Sequence, residues 1–265
     1  MTRRELLAVF STAPLVAQSR QQRGKQVIDQ ALEALGGDRF LNMKDRIETG
    51  RAYSFYRAEL SGRSHARIYT RYLTRPEPHR ADFFGLRERQ SFGKDKEESA
   101  ILFTETEGWS VTFRGARPIG KDVEQRFRDS TRRNIFYILR QRLGEPGMLI
   151  EFDGTDIVEN MPVDIVTITD VDNLAVKVYF HTSTKLPVRQ EWLRRDQKTR
   201  ERFEELTRFS KYRDVGGVQW PYQIQRERDN EKIFEMFADS VQINQDLTDD
   251  MFTLTTNIKV LKPAR

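Results

Sequence analysis

The sequence predicts a mainly β, α+β fold in a single domain, and three observations carry that reading. Residues 148–244 form a run of alternating segments cut by turn signals at Asp170–Asn173, Thr182–Lys185, Arg195–Lys198, Asp214–Gly217 and Asp229–Asn230. Their spacing, roughly 12 to 19 residues, fits consecutive antiparallel hairpins with long strands. A second strand-like series occupies residues 46–113, and helix-patterned segments precede and follow it. No low-complexity linker separates the two series, so one domain is expected over 20–265.

The chain begins with "MTRRELLAVFSTAPLVAQS": Arg3 and Arg4, an apolar run from Leu6 to Ala17, then small residues. That layout is a secretory signal over residues 1–19, and "TRRELLA" also fits a twin-arginine export signal. The run is too short for an ordinary membrane span. A buried or amphipathic N-terminal helix is the alternative. Next, "GKQVIDQALEALGG" puts Val27, Ile28, Ala31, Leu32 and Leu35 on one helical face, and Gly36-Gly37 end the helix.

In the first strand series, Ala66, Ile68 and Thr70 alternate with Arg67, Tyr69 and Arg71, and "HRADFF", "RERQSFG" and "GWSVTF" follow as strand-like pieces. Residues 121–143 change the period. Val123, Phe127, Ile135, Ile138, Leu139 and Leu143 approximate a helical stripe, stopped by the Gly144–Gly147 stretch with Pro146. Seven basic residues, Lys121, Arg126, Arg128, Arg132, Arg133, Arg140 and Arg142, stand there against three acids. Contact with an anionic membrane surface or an acidic partner is one reading; a solvated face on a helix covering the sheet is the favoured one.

Further on, Leu174, Val176, Val178 and Phe180 share one strand face. "YRDVGGVQWPYQIQ" places Gly216-Gly217 at a tight turn before an inward series of Val218, Trp220, Tyr222 and Ile224. Pro221 cannot donate to a ladder, so a bulge or an open edge is expected there.

Composition narrows the chemistry. With 45 basic and 40 acidic residues the net charge is +5, a mixed surface and not a nucleic-acid-binding one. The absence of cysteine excludes disulfides, thiolate metal sites and cysteine nucleophiles. His65, His79 and His181 share no metal-like spacing. There is no Gly-rich phosphate loop and no G-x-S-x-G elbow. Adjacent acids such as Glu97-Glu98 point to opposite faces of a strand, so a hydrolase would need distant carboxylates to converge unpaired in one cleft. No catalytic residue, metal or cofactor is expected.

"ALEALGG", "VKVYFHTSTKLPVRQEW", "FSKYRDVGGVQWPYQIQ", "SVQINQDLTDDMFTL" and the helix inserted mid-chain together resemble the exported outer-membrane lipoprotein-sorting proteins, the LolA-like and LppX-like group, over most of residues 25–255. The resemblance implies a strongly curved antiparallel sheet forming an incomplete barrel, with its concave face covered by helices. It implies a periplasmic, non-catalytic binding or carrier protein for an acyl chain or a lipidated protein. An envelope sensor or protein-interaction module is the alternative on the same scaffold. The lipobox cysteine of lipid-anchored members is missing, so the processed chain is expected to be soluble. Cavity candidates are Phe180, Trp192, Trp220, Tyr222, Phe234 and Met236 from the strands, with Phe127, Phe136 and Ile138 from the covering helix; each could equally be packed core.

Overall fold

A computed structural model describes residues 19–78, 80, 82–196 and 199–263. The expected export signal, apart from Ser19, and His79 lie outside the described residues.

Alternation in the sequence becomes one 13-stranded antiparallel sheet. A first meander runs through β1 (Asp45–Tyr56), β2 (Glu59–Tyr72), β3 (Leu86–Phe92), β4 (Ser99–Phe103), β5 (Gly108–Thr112) and β6 (Gly115–Pro118). A second runs through β7 (Leu149–Val158), β8 (Met161–Thr169), β9 (Ala175–His181), β10 (Pro187–Arg195), β11 (Arg202–Val215), β12 (Val218–Arg228) and β13 (Glu231–Ile243). The first strand pairs with the last, Ile47 opposite Gln242, and fuses the two meanders. β6 and β7 therefore form the two ends, and the barrel stays open, as expected. Residues 259–261 cap one end, with Ala116 N–H donating to Lys259 O at 2.9 Å. At the other, a bulge between Phe152 and Gly154 interrupts β7, and Arg20 Nε donates to Phe152 O at 3.1 Å. Both devices blunt an edge that could otherwise pair with another chain.

Helix α1 (Arg20–Leu35) packs against β7, β8 and the start of β12. It buries Val27, Ile28, Ala31 and Leu35, four residues of the predicted face. Ser19 and Gln22 form a reciprocal capping box at its start, and Gly36 N–H closes its end onto Glu33 O. Gly24 permits the close approach, since a Cβ there would lie 3.0 Å from Ile150 O. A short α2 (Asp38–Leu41) then leads into β1.

The mid-chain helix is two pieces. α3 (Lys121–Arg132) buries none of its residues fully, and Val123 is exposed, contrary to the expected stripe. Asn134 ends that run by accepting from Phe136 N–H (3.0 Å) and Tyr137 N–H (3.4 Å), starting α4 (Ile135–Tyr137). The chain continues as a wide π turn over Ile138–Arg142, closed by Leu143 N–H onto Ile138 O. This second piece is buried throughout Ile135–Leu139 and plugs the concave face.

One other expectation needs correction. "HRADFF" is no strand: its described residues belong to the β2–β3 connection. Turns also occur where the sequence shows no glycine, at Arg57-Ala58 and Glu159-Asn160, all four with positive φ. The β11–β12 turn follows expectation, with Gly216 and Gly217 at φ 61° and 84°. Pairing of β12 with β13 begins only at Gln223, so Pro221 sits where the strand has β11 alone as its partner.

Candidate functional site

A cavity of about 330 Å³ lies between the β1–β3 and β12–β13 part of the sheet and the α3–α4 segment. Period-two geometry builds its floor. Opposite residues on β1, β2 and β3 give one cross-strand row of Arg46, Thr70 and Glu88 and the next of Glu48, Ile68 and Gln90. Phe127, Phe136, Ile224, Phe234 and Met236 contribute apolar wall, and Trp220 closes one side. Phe127 stacks on Phe103 at 3.6 Å between ring centroids, while Phe136 lies 4.7 Å from Trp220.

Five of the nine residues singled out from sequence thus line one cavity: Phe127, Phe136, Trp220, Phe234 and Met236. Four do not. Ile138, Phe180 and Trp192 are buried in the core, and Phe180 has no exposed surface. Tyr222 packs against the edge of that core, with the Arg213 guanidinium 4.4 Å from its ring centre.

The cavity is not lined by apolar residues alone. Arg46 and Glu48 sit in its floor, 7% and 4% exposed. Arg46 Nε donates to Glu48 Oε1 (2.7 Å), Nη1 to Tyr72 Oη (2.8 Å) and Nη2 to Thr70 Oγ1 (3.1 Å). Its guanidinium also lies 4.1 Å from the Trp220 ring centre. Burial would lower the Arg46 pKa, but Tyr72, Glu48 and Glu88 outweigh it, so the guanidinium stays charged. Each nitrogen of Arg46 makes one hydrogen bond within its own chain, which uses three of its five N–H. Glu88 differs: its one hydrogen bond comes from Gln90 Nε2 at 2.6 Å, and no cation pairs with it among the described residues. Burial pushes its carboxyl above the ordinary value, against the pull of Gln90, Arg46 and Arg226.

The basic segment turns most of its charge inward. Arg128 donates to Glu105 O (2.6 Å) and Glu124, Arg140 to Met43 O (3.0 Å), and Arg133 to Asp129 O (2.9 Å) while lying over Trp192. Arg142 reaches Glu145 (2.7 Å) and Asp170 (3.0 Å) inside the protein. Arg132 lies 4.0 Å from Glu145 as well, so these five arginines hold the plug in place and leave Lys121 and Arg126 as the outward remnant of the proposed membrane-facing patch.

Structures of known proteins share this fold. A DUF1329 family protein from Desulfovibrio piger superposes with a TM-score of 0.59 at 14% identity, over 89% of this chain and 98% of that one. A putative outer membrane lipoprotein-sorting protein domain from Vibrio parahaemolyticus gives 0.55 at 12% identity, covering 86% and 97%. A LolA superfamily protein from Nitrosomonas europaea gives 0.52 at 12% identity, covering 87% and 97%. The fold is LolA-like. At these identities the likeness concerns architecture, since one fold hosts many functions. No protein-family model and no curated protein sequence matches the chain.

On this LolA-like sheet, the residues that sequence reasoning missed are polar ones, the buried Arg46 and Glu48 and the half-buried Glu88. A signal for them exists. Leu86 and Phe92 both face inward, and the same alternation forces Glu88 and Gln90 inward between them. Selecting only apolar residues for the interior hid that.

Proposed function

We propose that this chain is an exported periplasmic binding or carrier protein that shelters an acyl chain, either free or as the anchor of a lipidated protein, without catalysing a reaction. The observation that carries this is the cavity between sheet and α3–α4, with Phe127, Phe136, Trp220, Phe234 and Met236 on its walls. Burial of each methylene there contributes about 0.8 kcal/mol. The cavity's 330 Å³ lies at the low end of ligand pockets, about 300–1,000 Å³, which favours a single chain over a two-chain lipid. The LolA-like fold and the lipoprotein-sorting description of one structural neighbour support the same reading.

Export rests on the basic, apolar, small-residue order of residues 1–19, with 20–265 as the mature domain. Among the described residues no helix is long and apolar enough to cross a membrane. A hydrolase would need unpaired carboxylates converging in the cleft. Glu48 and Glu88 do share the cavity, but Glu48 is held by Arg46, leaving one.

Native mass spectrometry of the processed protein, before and after organic extraction, tests the proposal. A bound apolar molecule that extraction removes is expected. A folded Met236→Trp variant, its cavity filled, should lack it. A folded wild-type protein that carries no such molecule and takes up no added single-chain amphiphile would overturn the reading.

A further inference from the structure

The exposed apolar side chains gather on one rim of the sheet. Ten large hydrophobic side chains are exposed among the described residues, and all but Val123, Ile157 and Val260 stand at the end where β1 finishes. We propose that this rim rests on a lipid bilayer, its apolar tips in the headgroup layer, so that an acyl chain passes between bilayer and cavity without crossing water. This adds a partner to the acyl-binding reading and rests on that reading for what is exchanged.

Register places the tips side by side. A row of cross-strand partners runs from Ser54 through Phe234, Arg226, Thr207 and Gln190 to Val178. Two to four residues beyond it, toward the β1 end, come Tyr56 (66% exposed), Leu193 (66%) and Leu174 (38%). Leu60, opposite Phe55, adds a second exposed side chain to the β1–β2 tip. None of these belongs to the core cluster, so folding does not account for them. One exposed leucine needs no explanation, whereas a file of them along adjacent tips marks a contact surface. Tyrosine among them suits the boundary between water and hydrocarbon.

The cavity opens on the same side. Its lining toward the opposite end is sealed, with Trp220, Phe136, Leu86 and Tyr72 only 2%, 3%, 4% and 8% exposed. Phe234 is half-buried and Arg226 exposed, and both lie on the row that the tips overhang. Rim charges are mixed, Arg57, Arg195 and Arg228 against Glu59, Asp229 and Glu231, so the attachment is apolar and not a basic patch on anionic lipid. The basic start of α3 lies at the other end, where Ile119 N–H donates to Gly108 O at 3.0 Å.

The chain has no cysteine, so single cysteines can report the contact. Mature Tyr56→Cys, Leu193→Cys and Ile157→Cys proteins, each labelled with an NBD fluorophore, are mixed with phosphatidylcholine vesicles. Emission should shift to the blue at positions 56 and 193 but not at 157, which is 72% exposed at the opposite end. In flotation, combining Tyr56→Ser, Leu174→Ser and Leu193→Ser should lower vesicle binding about tenfold, and Ile157→Ser should leave it unchanged. Added phosphatidylglycerol or high salt should change little. Met236→Trp, its cavity filled, should float like the wild type, which separates docking from acyl binding. A wild-type protein that stays off vesicles, or an equal shift at position 157, would overturn the docking and leave the acyl-binding role standing. A requirement for anionic lipid would overturn it too. So would self-association abolished by the triple variant without any flotation, since the rim would then join two copies. Flotation of a protein that takes up no single-chain amphiphile would keep the docked rim and remove the acyl-binding role.

Discussion

Two parts of the sheet present concave faces of opposite character. β7–β11 are filled by their own chain: Val27, Ile28 and Ala31 of α1 join Ile168, Val176, Val178 and Phe180 in a continuous core. β1–β3, with β12 and β13, leave room, and their inward rows carry Arg46, Glu48, Thr70, Glu88 and Gln90. The difference follows from what covers each half. α1 approaches β7 to backbone contact at Gly24, whereas α3 buries none of its residues fully and Asn134 breaks the helix above the cavity. One half is therefore a dry core that supplies stability, and the other is a half-polar chamber that gives some of it up.

Truncation should separate them most sharply. Phe180→Ala, in the dry half, is expected to cost about 3–5 kcal/mol in denaturant melts and to leave ligand affinity unchanged. Phe127→Ala, whose ring already faces the cavity, should cost only about 1–2 kcal/mol while weakening ligand binding. Equal costs, or a binding loss confined to Phe180→Ala, would erase the distinction.

Arg142→Ala comes next. It strands Glu145 and Asp170, both buried, and should cost about 3–5 kcal/mol at neutral pH. Burial would raise the Asp170 carboxyl, but Leu174 N–H, Arg142 and Asp172 N–H outweigh it and hold it below the ordinary value. A carboxyl lowered on folding stabilises above its unfolded pKa, and that contribution is lost as pH falls toward the folded one. Wild-type stability should therefore drop in acid below about pH 4, and Asp170→Asn should flatten that limb in pH-dependent urea melts.

Glu88 in the chamber has the opposite sign. Its raised carboxyl disfavours ionisation in the folded state, so it costs stability as pH rises through the interval above the ordinary glutamate value. At the seam, Gly36→Ala would place a Cβ 2.3 Å from Gly217 O at φ +120° and should cost about 1–3 kcal/mol by loosening α1 from β12. The smallest effect is a gain: Glu88→Gln should stabilise by about 1 kcal/mol at pH 7 and by nothing at pH 4. A loss at pH 7 would mean that Glu88 is satisfied in the empty protein.

The dry half was the more legible in the sequence, because its signals are local. The α1 face, the Val176–Val178–Phe180 alternation and the Gly216-Gly217 turn each need only neighbouring residues to be read. The chamber is not local: Arg46, Glu88, Phe136 and Trp220 come from four distant segments, and only sheet register brings them together. Hydrophobicity alone assigns Phe180 and Trp220 the same role, although one is sealed in core and the other lines a void. The Asn134 break was hidden too, since apolar residues on both sides of it kept an approximate helical period.

The central claim is that an apolar chain occupies the chamber beside Trp220 and not the core around Trp192. Single-tryptophan variants retaining either residue, titrated with a monoacylglycerol brominated along its chain, test it directly, because bromine quenches only a nearby indole. Strong saturable quenching of Trp220, with Trp192 emission unchanged, is the predicted result. Quenching of Trp192 to the same extent, or of neither in a folded protein, would contradict the account.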